Sequence, residues 1–345
     1  METVQNLLIK LKSAPLLEWK KQVRNLNQLF YVNDEYLENP SAEFIDNATL
    51  VVMGKSLNCE HLLSLLAMLS EEGINRIRIN PPIEVDDITV ISLGLSHKTD
   101  ALKEKMKAFC AELKIDFALI PLLPDWNKPG LVLMDMDSTT IQIECIDEIA
   151  RLYGVGDQVS AVTALAMQGK LDFNQSLRTR VSKLKDAPVS ILSAVADSMP
   201  LMPGLLVLID SLKKSGWKVA IASGGFTFFA ERLQQDHGFD AVVANTLEIK
   251  DNCLTGVVLG EIINADVKKR TLLELARAYD IPMSQTVAIG DGANDLMMME
   301  AAALGIAIHA KPIVQEKAAV SINNIDLQGA LGLLCSTNSA NNWSS

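Results

Sequence analysis

The sequence has few cysteines, no long apolar run and no excess of positive charge. Its five cysteines are odd in number, widely spaced and never arranged as C-x-x-C, which is typical of reduced thiols rather than of a disulfide framework. No apolar run approaches the roughly 18 residues that a membrane-spanning helix needs, and the first residues lack the long apolar core of a signal peptide. We therefore expect a soluble, cytoplasmic protein.

The charge balance is acidic, with a formal net charge of −11 and an isoelectric point near 4.9. Because nucleic acids and anionic membranes attract basic surfaces, neither is expected as a partner. If the protein binds an anionic small molecule, its binding site must contain a local cluster of positive charge. Apolar residues make up 49% of the 345 residues, which suffices for the cores of about two domains.

An apolar run at residues 131–134 is followed by two aspartates one residue apart, Asp135 and Asp137, and then by three hydroxyl residues. Such a run is typical of a buried parallel strand, whose carboxyl end is where open α/β sheets bind ligands. Because two close carboxylates repel each other, a cation, a proton or a dipole must offset their charge. Taken alone, the run also fits a polar strand end followed by a helix N-cap.

Two further apolar runs end in a similar way. Residues 219–222 lead into Ser-Gly-Gly, where glycines let backbone N–H groups approach an anion closely. Residues 286–289 lead into Gly-Asp-Gly-Ala-Asn-Asp, which adds acidic side chains at a third strand end. Between these two runs, Lys268 opens an amphipathic helix and is placed to bring an ammonium to the same anion.

Taken in order, the motifs DMDST, SGG, a lysine and GDGAND resemble the haloacid-dehalogenase superfamily of phosphotransferases, and within it the phosphoserine phosphatases. The resemblance covers residues 131–334, and four ordered motifs are far more specific than any one of them. It implies an α/β fold, a HAD-like Rossmannoid parallel sheet with an inserted helical cap at about residues 150–200. We place this phosphatase domain at residues 131–335 and a flexible polar tail at residues 336–345.

The region before this domain is organised differently. Residues 1–45 form an N-terminal extension whose sequence does not indicate a function. The prolines of residues 124–130 predict a stiff linker. Between them, at residues 46–123, predicted strands and helices follow the order βαββαβ of a small ferredoxin-like α+β domain, which resembles the amino-acid-binding ACT domains. An ACT-like domain makes L-serine a candidate effector and a homodimer a candidate assembly. The alternative is a structural domain that binds nothing, because a fold does not carry a function.

The resemblance implies catalytic and metal-binding roles for three aspartates. Asp135 would be the nucleophile that forms an aspartyl-phosphate, and Asp137 the general acid and later the general base. Mg²⁺ would be held by the carboxylates of Asp135 and Asp291 and by the main-chain carbonyl of Asp137, because hard cations prefer oxygen ligands. No histidine or cysteine belongs to the motifs, which disfavours zinc.

The resemblance also implies a set of groups around the phosphate. Its oxygens would contact the Ser223 hydroxyl, the Gly224 N–H and the Lys268 ammonium, which position it and stabilise its charge. Asn294 and Asp295 would orient water or Lys268 from behind.

Glu144 and the stretches 168–173 and 176–181 resemble the substrate-recognising parts of these enzymes. Glu144, near the start of a helix predicted over residues 141–153, would bind the substrate ammonium, and Arg180 would bind its carboxylate through a bidentate fork. Met167 and Phe173 would cover the apolar part of the substrate. On spacing alone, the two charged residues also fit an ordinary first-turn acid and a charge on a solvated helix face.

The expected activity is therefore Mg²⁺-dependent hydrolysis of O-phospho-L-serine to L-serine and phosphate, the last step of serine biosynthesis. Another phosphatase or phosphotransferase of the superfamily, acting on a sugar phosphate, phosphohomoserine or pyridoxal phosphate, would share the catalytic residues and differ in its cap. A non-catalytic amino-acid sensor is the alternative from another class. The complete catalytic set argues against such a sensor.

Overall fold

The structure, a computed structural model, describes residues 8–22, 29–32, 35–37 and 46–336. These residues form two compact units, one drawn from Met1–Asn127 together with Ala319–Ser345 and the other from Lys128–Ala318. No helix of the described residues is long and apolar enough to cross a membrane. The remaining residues of the predicted extension at 1–45, and residues 337–345 of the predicted tail, lie outside the described residues.

The smaller unit contains the predicted βαββαβ order with additions at its start. Its first elements are α1 (Leu16–Gln22), β1 (Leu29–Val32), β2 (Glu35–Leu37), β3 (Ala48–Gly54), α2 (Cys59–Glu71), β4 (Arg76–Ile79), β5 (Ile83–Val85), β6 (Ile88–Leu95), α3 (Asp100–Leu113) and β7 (Asp116–Ile120). The strands are antiparallel in the order β7-β3-β6-β4-β1-β2, and β5 pairs with β6. The ferredoxin-like strand order is thus confirmed, whereas α1, β1, β2 and β5 were not predicted.

The larger unit is built on the parallel sheet that carries the predicted motifs. Its strands are β8 (Leu131–Met134), β9 (Lys218–Phe226), β10 (Ala241–Lys250), β11 (Cys253–Leu259), β12 (Thr286–Gly290) and β13 (Leu304–Ile308). They lie in the order β11-β10-β9-β8-β12-β13, and only the β10–β11 pair is antiparallel. Because β8 lies between β9 and β12, the three motif-bearing strands are neighbours and end at the same edge.

Helices surround this sheet and also form a separate cap. They are α4 (Cys145–Tyr153), α5 (Gly156–Met167), α6 (Phe173–Ser182), α7 (Ser190–Ala196), α8 (Leu205–Lys214), α9 (Thr227–His237), α10 (Ala265–Ala278), α11 (Leu296–Ala301) and α12 (Pro312–Lys317). Between β8 and α8, α4 packs on α5 and α7, and α5 packs on α6, which confirms the inserted helical cap. The first cap helix begins at Cys145 rather than at residue 141, because the N–H groups of residues 139–141 turn back onto the Met136 carbonyl.

The end of the described chain returns to the smaller unit. After α12 come β14 (Val320–Ile322), which is antiparallel to β7, and α13 (Leu327–Cys335), which contacts β3, β5 and β6. The Asp116 carboxylate accepts the backbone N–H groups of residues 323–325. The predicted phosphatase boundary at residue 335 therefore differs from this division at Ala319. Every residue of α13 is buried, and its apolar sequence alone does not indicate which sheet it covers.

Candidate active site

A cavity of about 730 Å³ opens at the carboxyl ends of β8, β9 and β12. Ten of the predicted site residues line it: Asp135, Asp137, Glu144, Met167, Phe173, Arg180, Ser223, Gly224, Asp291 and Asn294. The two others, Lys268 and Asp295, have no exposed surface. Lys268 forms an ion pair with Asp135, which lines the cavity, and a second ion pair with Asp295 behind it. Residues that are far apart in the sequence thus meet at one sheet edge.

Asp135 is held rigidly just beyond the end of β8. Its backbone N–H donates to the Ile289 carbonyl at 2.9 Å, which continues the ladder between β8 and β12 by one residue. The Thr140 hydroxyl donates to its carbonyl at 2.6 Å, and the Met136 N–H donates to its Oδ1 at 2.7 Å. These bonds fix both the backbone and the carboxylate plane of Asp135, so its second oxygen has a defined direction.

Lys268 is shared between two buried carboxylates. Its Nζ lies 2.8 Å from Asp135 Oδ2 and 2.6 Å from Asp295 Oδ1. Burial alone would lower the pKa of Lys268, but the charges of the two aspartates outweigh it, so its pKa is raised and the ammonium stays charged. Asp295 in turn accepts the Gly292 N–H at 2.9 Å. The lysine therefore fixes Asp135 from behind rather than from the cavity wall.

The carboxylates of Asp135, Asp291 and Asp295 form an acidic cluster, in which one oxygen of each lies within 4.8 Å of the others. Burial, followed by the charges of Asp135 and Asp295, raises the pKa of Asp291 to about 7. Three carboxylates and one ammonium, that of Lys268, leave two negative charges when all are ionised. An all-oxygen donor set with this surplus fits a hard divalent cation. The predicted ligand set did not include Asp295, whose oxygens are taken by Lys268 and Gly292.

Asp137 lines the cavity at the N-terminus of α4. The Cys145 N–H donates to its Oδ1 at 3.4 Å. Loss of contact with bulk water, followed by the charges of Glu144 and Asp135, raises its pKa well above the usual range for an aspartate. A carboxyl group whose pKa is raised holds its proton more readily, which suits it to act as a general acid.

The Ser-Gly-Gly segment bends out of the sheet towards the cavity. Ala222 is paired with Val243, and the next pair joins Phe226 to Asn245, so residues 223–225 form a bulge in β9. The Gly225 N–H donates to Ser223 Oγ at 2.9 Å. A Cβ atom at residue 225 would lie 2.9 Å from Asp137 Oδ2, so any residue larger than glycine would displace the carboxyl group.

Glu144 and Arg180 are two of the charged groups that the cap supplies to the cavity. Glu144 is the N-cap residue of α4, and its Oε1 accepts a hydrogen bond of 2.8 Å from Ser138, a residue with a φ of 56° that sequence reasoning missed. Burial raises the pKa of Glu144 above its usual value. Arg180 lies on α6, and its buried Nε has no hydrogen-bond partner within the described part of the chain. A buried donor of this kind is available to a ligand in the cavity.

Phe173 and Met167 are among the apolar cap residues that line the cavity. A Cβ atom at Gly224 would lie 2.8 Å from Phe173 Cζ, so the aromatic ring sits directly over the glycine of the bulge. Met167, at the end of α5, lines the cavity but is 70% exposed. The ring therefore closes the cavity on one side, whereas the methionine lies at its rim.

Comparison with known proteins gives consistent matches. The haloacid dehalogenase-like hydrolase family matches residues 129–303. A phosphoserine phosphatase of Vibrio cholerae is 56% identical over 222 residues, which are 64% of this chain and 68% of the relative. A phosphoserine phosphatase of Haemophilus influenzae is 51% identical over 226 residues, 66% of this chain and 72% of the relative.

A solved structure extends the similarity over most of the chain. The unliganded crystal structure of a probable phosphoserine phosphatase from Vibrio cholerae superposes with a TM-score of 0.72 at 46% identity, covering 84% of this chain and 87% of that one. The family match spans the three strands whose ends form the cavity, together with the cap and Lys268. The chain belongs to the haloacid dehalogenase-like hydrolases.

Proposed function

We propose that the chain is a Mg²⁺-dependent phosphoserine phosphatase that hydrolyses O-phospho-L-serine through an aspartyl-phosphate on Asp135. The observation that carries this proposal is the meeting of Asp135, Lys268 and Asp291 at one sheet edge, beneath a cap that presents the Glu144 carboxylate and Arg180, whose Nε has no partner among the described residues. The curated relatives named phosphoserine phosphatase support the same substrate. When bound by Asp135, Asp291 and the main-chain carbonyl of Asp137, Mg²⁺ would supply the positive charge that offsets the repulsion between the Asp135 carboxylate and the phosphate.

The first half-reaction transfers the phosphoryl group to the protein. The Ser223 hydroxyl and the Gly224 N–H bind phosphate oxygens, and Lys268 holds the Asp135 side chain in a fixed direction towards the phosphorus. A bond forms between an Asp135 oxygen and phosphorus while the bond from phosphorus to the serine oxygen breaks. Asp137 donates its proton to that oxygen, so L-serine leaves as a neutral alcohol.

The second half-reaction restores the protein. Asp137, now a carboxylate, accepts a proton from the water that attacks the phosphorus of the aspartyl-phosphate. The bond from phosphorus to Asp135 breaks, inorganic phosphate leaves, and Asp137 again holds the proton it started with. The raised pKa of Asp137 supports this exchange, because the group has to be protonated before the first step and ionised before the second.

The cap supports a substrate with a charged amino-acid end. The Glu144 carboxylate pairs with the substrate ammonium, and the Arg180 fork pairs with the substrate carboxylate. Phe173 and Met167 cover the carbon chain between these charges. Because the ring of Phe173 lies over Gly224, the cap also keeps water away from the phosphate.

Two aspartate variants test the assignment of the reaction. With ³²P-labelled phosphoserine, the wild type is expected to yield an acid-stable phosphoenzyme, Asp135→Asn none, and Asp137→Asn little turnover. Asp157→Asn, at an exposed aspartate of α5, is the matched control and should behave as the wild type. Normal turnover in either active-site variant would overturn the assignment, and a panel of phosphate esters would reveal a preference for another substrate.

The smaller unit and the location of the protein belong to the same proposal. We infer that L-serine is an effector that binds the ferredoxin-like unit, that the chain forms a homodimer, and that it works in the cytoplasm, where its five free cysteines stay reduced. Titration calorimetry of the full chain with L-serine tests the effector, and light scattering tests the dimer. Absence of heat with L-serine would remove the effector from the proposal.

A further inference from the structure

Asn245 lies next to the phosphate-binding segment, but the mechanism above gives it no task. Its side chain is 1% exposed, and both ends of its amide are used. Nδ2 donates to the Gly224 carbonyl at 2.8 Å, and Oδ1 accepts the Ile263 N–H at 2.9 Å. One buried amide thus connects the bulge of β9 with the chain that enters α10.

The bulge explains why an amide is needed at this position. Three residues of β9, Ser223 to Gly225, face a single residue of β10, because the register steps from the Ala222–Val243 pair to the Phe226–Asn245 pair. Extra residues in a bulge lose their ladder partners, and a buried carbonyl without a partner is costly. The Asn245 side chain supplies the donor that the Gly224 carbonyl lacks.

The hydrogen bond to Gly224 also sets the direction of the next group. Because the Gly224 carbonyl points at Asn245, the N–H of the same peptide unit, that of Gly225, points the opposite way and donates to Ser223 Oγ at 2.9 Å. With this acceptor position filled, the Ser223 hydroxyl hydrogen is left to donate to an anion in the cavity. Consecutive hydrogen bonds of this kind polarise one another in the same direction.

We propose that Asn245 is a positioning residue for phosphoryl transfer, which acts through the Gly224–Gly225 peptide unit to aim the Ser223 hydroxyl at the phosphate. The proposal rests on the proposed function, since it takes Ser223 as a phosphate ligand. The hydrogen bond to Ile263 adds a second constraint, because Asn264, the next residue, caps α10 and so sets the position of Lys268.

A double-mutant cycle on the full-length protein tests whether Asn245 acts through Ser223. Asn245→Leu, close in volume but without hydrogen bonds, is expected to lower kcat/KM for phosphoserine about ten- to hundred-fold and to raise the inhibition constant of inorganic phosphate in parallel. In a Ser223→Ala background, the same change should cost less than about three-fold, because the hydroxyl that it aims is gone. If the fold-loss in kcat/KM of the double variant equals the product of the two single losses, the proposal is overturned.

The controls separate positioning from stability. Ile281→Val shortens a core side chain of the same unit and should lower the melting temperature while leaving kcat/KM and phosphate inhibition unchanged. If the Leu variant fails to fold, Asn245→Ala, which leaves room for a water, takes its place in the cycle. Wild-type rates in an Asn245 variant, with Ser223→Ala impaired, would overturn this proposal alone. A wild type that releases no phosphate from phosphoserine would overturn the proposed function as well.

Discussion

Lys268 Nζ and Asp135 Oδ2 lie 2.8 Å apart, and the lysine side chain has no exposed surface. The same ammonium also contacts Asp295, so one cation holds two carboxylates in place beneath the cavity. Isolated buried charges are costly, and the three groups are stable together because each compensates another. The arrangement fixes the direction of the Asp135 carboxylate, the proposed nucleophile, before a substrate or a metal binds.

Removal of the Lys268 ammonium should therefore damage both stability and activity. Lys268→Met leaves two buried carboxylates without their cation, and we expect about 3–5 kcal/mol less free energy of unfolding, the usual range when one partner of a buried ion pair is lost. The kcat/KM for phosphoserine should fall at least about 100-fold. Urea unfolding in EDTA and phosphate release measure the two effects. Lys269→Met, at the exposed neighbouring position, is the control, and an unfolding midpoint equal to it would contradict the argument.

The acidic cluster predicts a pH-dependent response to Mg²⁺. The pKa of Asp291 is raised to about 7 from the ordinary aspartate value of 3.8, so between these values the folded state holds a proton that the unfolded state has released. The stability of the metal-free protein should then fall as the pH rises through this window. A bound cation displaces that proton, so Mg²⁺ should raise the melting temperature more at about pH 8 than at about pH 6.

Two variants show whether this response belongs to the cluster. Asp291→Asn should lose most of the thermal gain with Mg²⁺ at either pH, because one ligand and its charge are gone. Asp157→Asn, on an exposed face of the cap, should keep the wild-type gain. Differential scanning fluorimetry over a series of Mg²⁺ concentrations measures both. A gain that is independent of pH, or one that survives in Asp291→Asn, would place the cation elsewhere.

The sequence was sufficient to predict which strands bear the site. Asp135, Ser223 and Asp291 each follow a short apolar run. The carboxyl ends of adjacent parallel strands lie at the same edge of a sheet, independently of the conformation of the loops that connect them. The turn between β10 and β11 also follows from residue type, since Asp251 and Asn252 both have positive φ values, 51° and 59°, which these residue types tolerate. Both features depend on local sequence and a general rule of sheet topology.

Other features depend on pairings that no local pattern encodes. Asn245 contacts Gly224 only because β9 and β10 pair with a shifted register, so its role was invisible in a run of ordinary β residues. The pattern of α13 indicates burial on all sides but not the sheet that it packs against. The hydrogen bond from Ser138 to Glu144 likewise depends on a positive φ at a residue that is not glycine. Each is set by tertiary contacts, which override local propensity.

Arg180 should discriminate between substrates with and without a carboxylate. Its buried Nε has no partner in the described residues, so a substrate carboxylate adds hydrogen bonds that nothing replaces when the side chain is lost. Arg180→Ala is expected to raise KM about ten- to hundred-fold for phosphoserine but less than about three-fold for an aryl phosphate. Arg178→Ala, at an exposed position of the same helix, is the matched control. An equal loss on both substrates would remove Arg180 from carboxylate recognition.

Glu144 should make substrate binding sensitive to acid. Burial raises the pKa of its carboxyl, and the hydrogen bond from Ser138 only partly opposes this. As the pH falls, Glu144 therefore takes up a proton earlier than an exposed glutamate would, and a neutral carboxyl no longer attracts the substrate ammonium. The KM for phosphoserine should rise on acidification more steeply than the KM for phosphoglycolate, which has a phosphate and a carboxylate but no ammonium.

The comparison of the two substrates isolates Glu144 because both carry a phosphate that titrates in the same range, so its protonation cancels in the ratio of the two KM values. Glu144→Gln keeps an acceptor for the Ser138 hydroxyl but removes the charge, and should make this ratio independent of pH while raising KM for phosphoserine at neutral pH. Glu148→Gln, one turn further along α4, provides the matched control and should retain the wild-type pH dependence. A ratio that does not vary with pH in the wild type would mean that the ammonium is bound by another group.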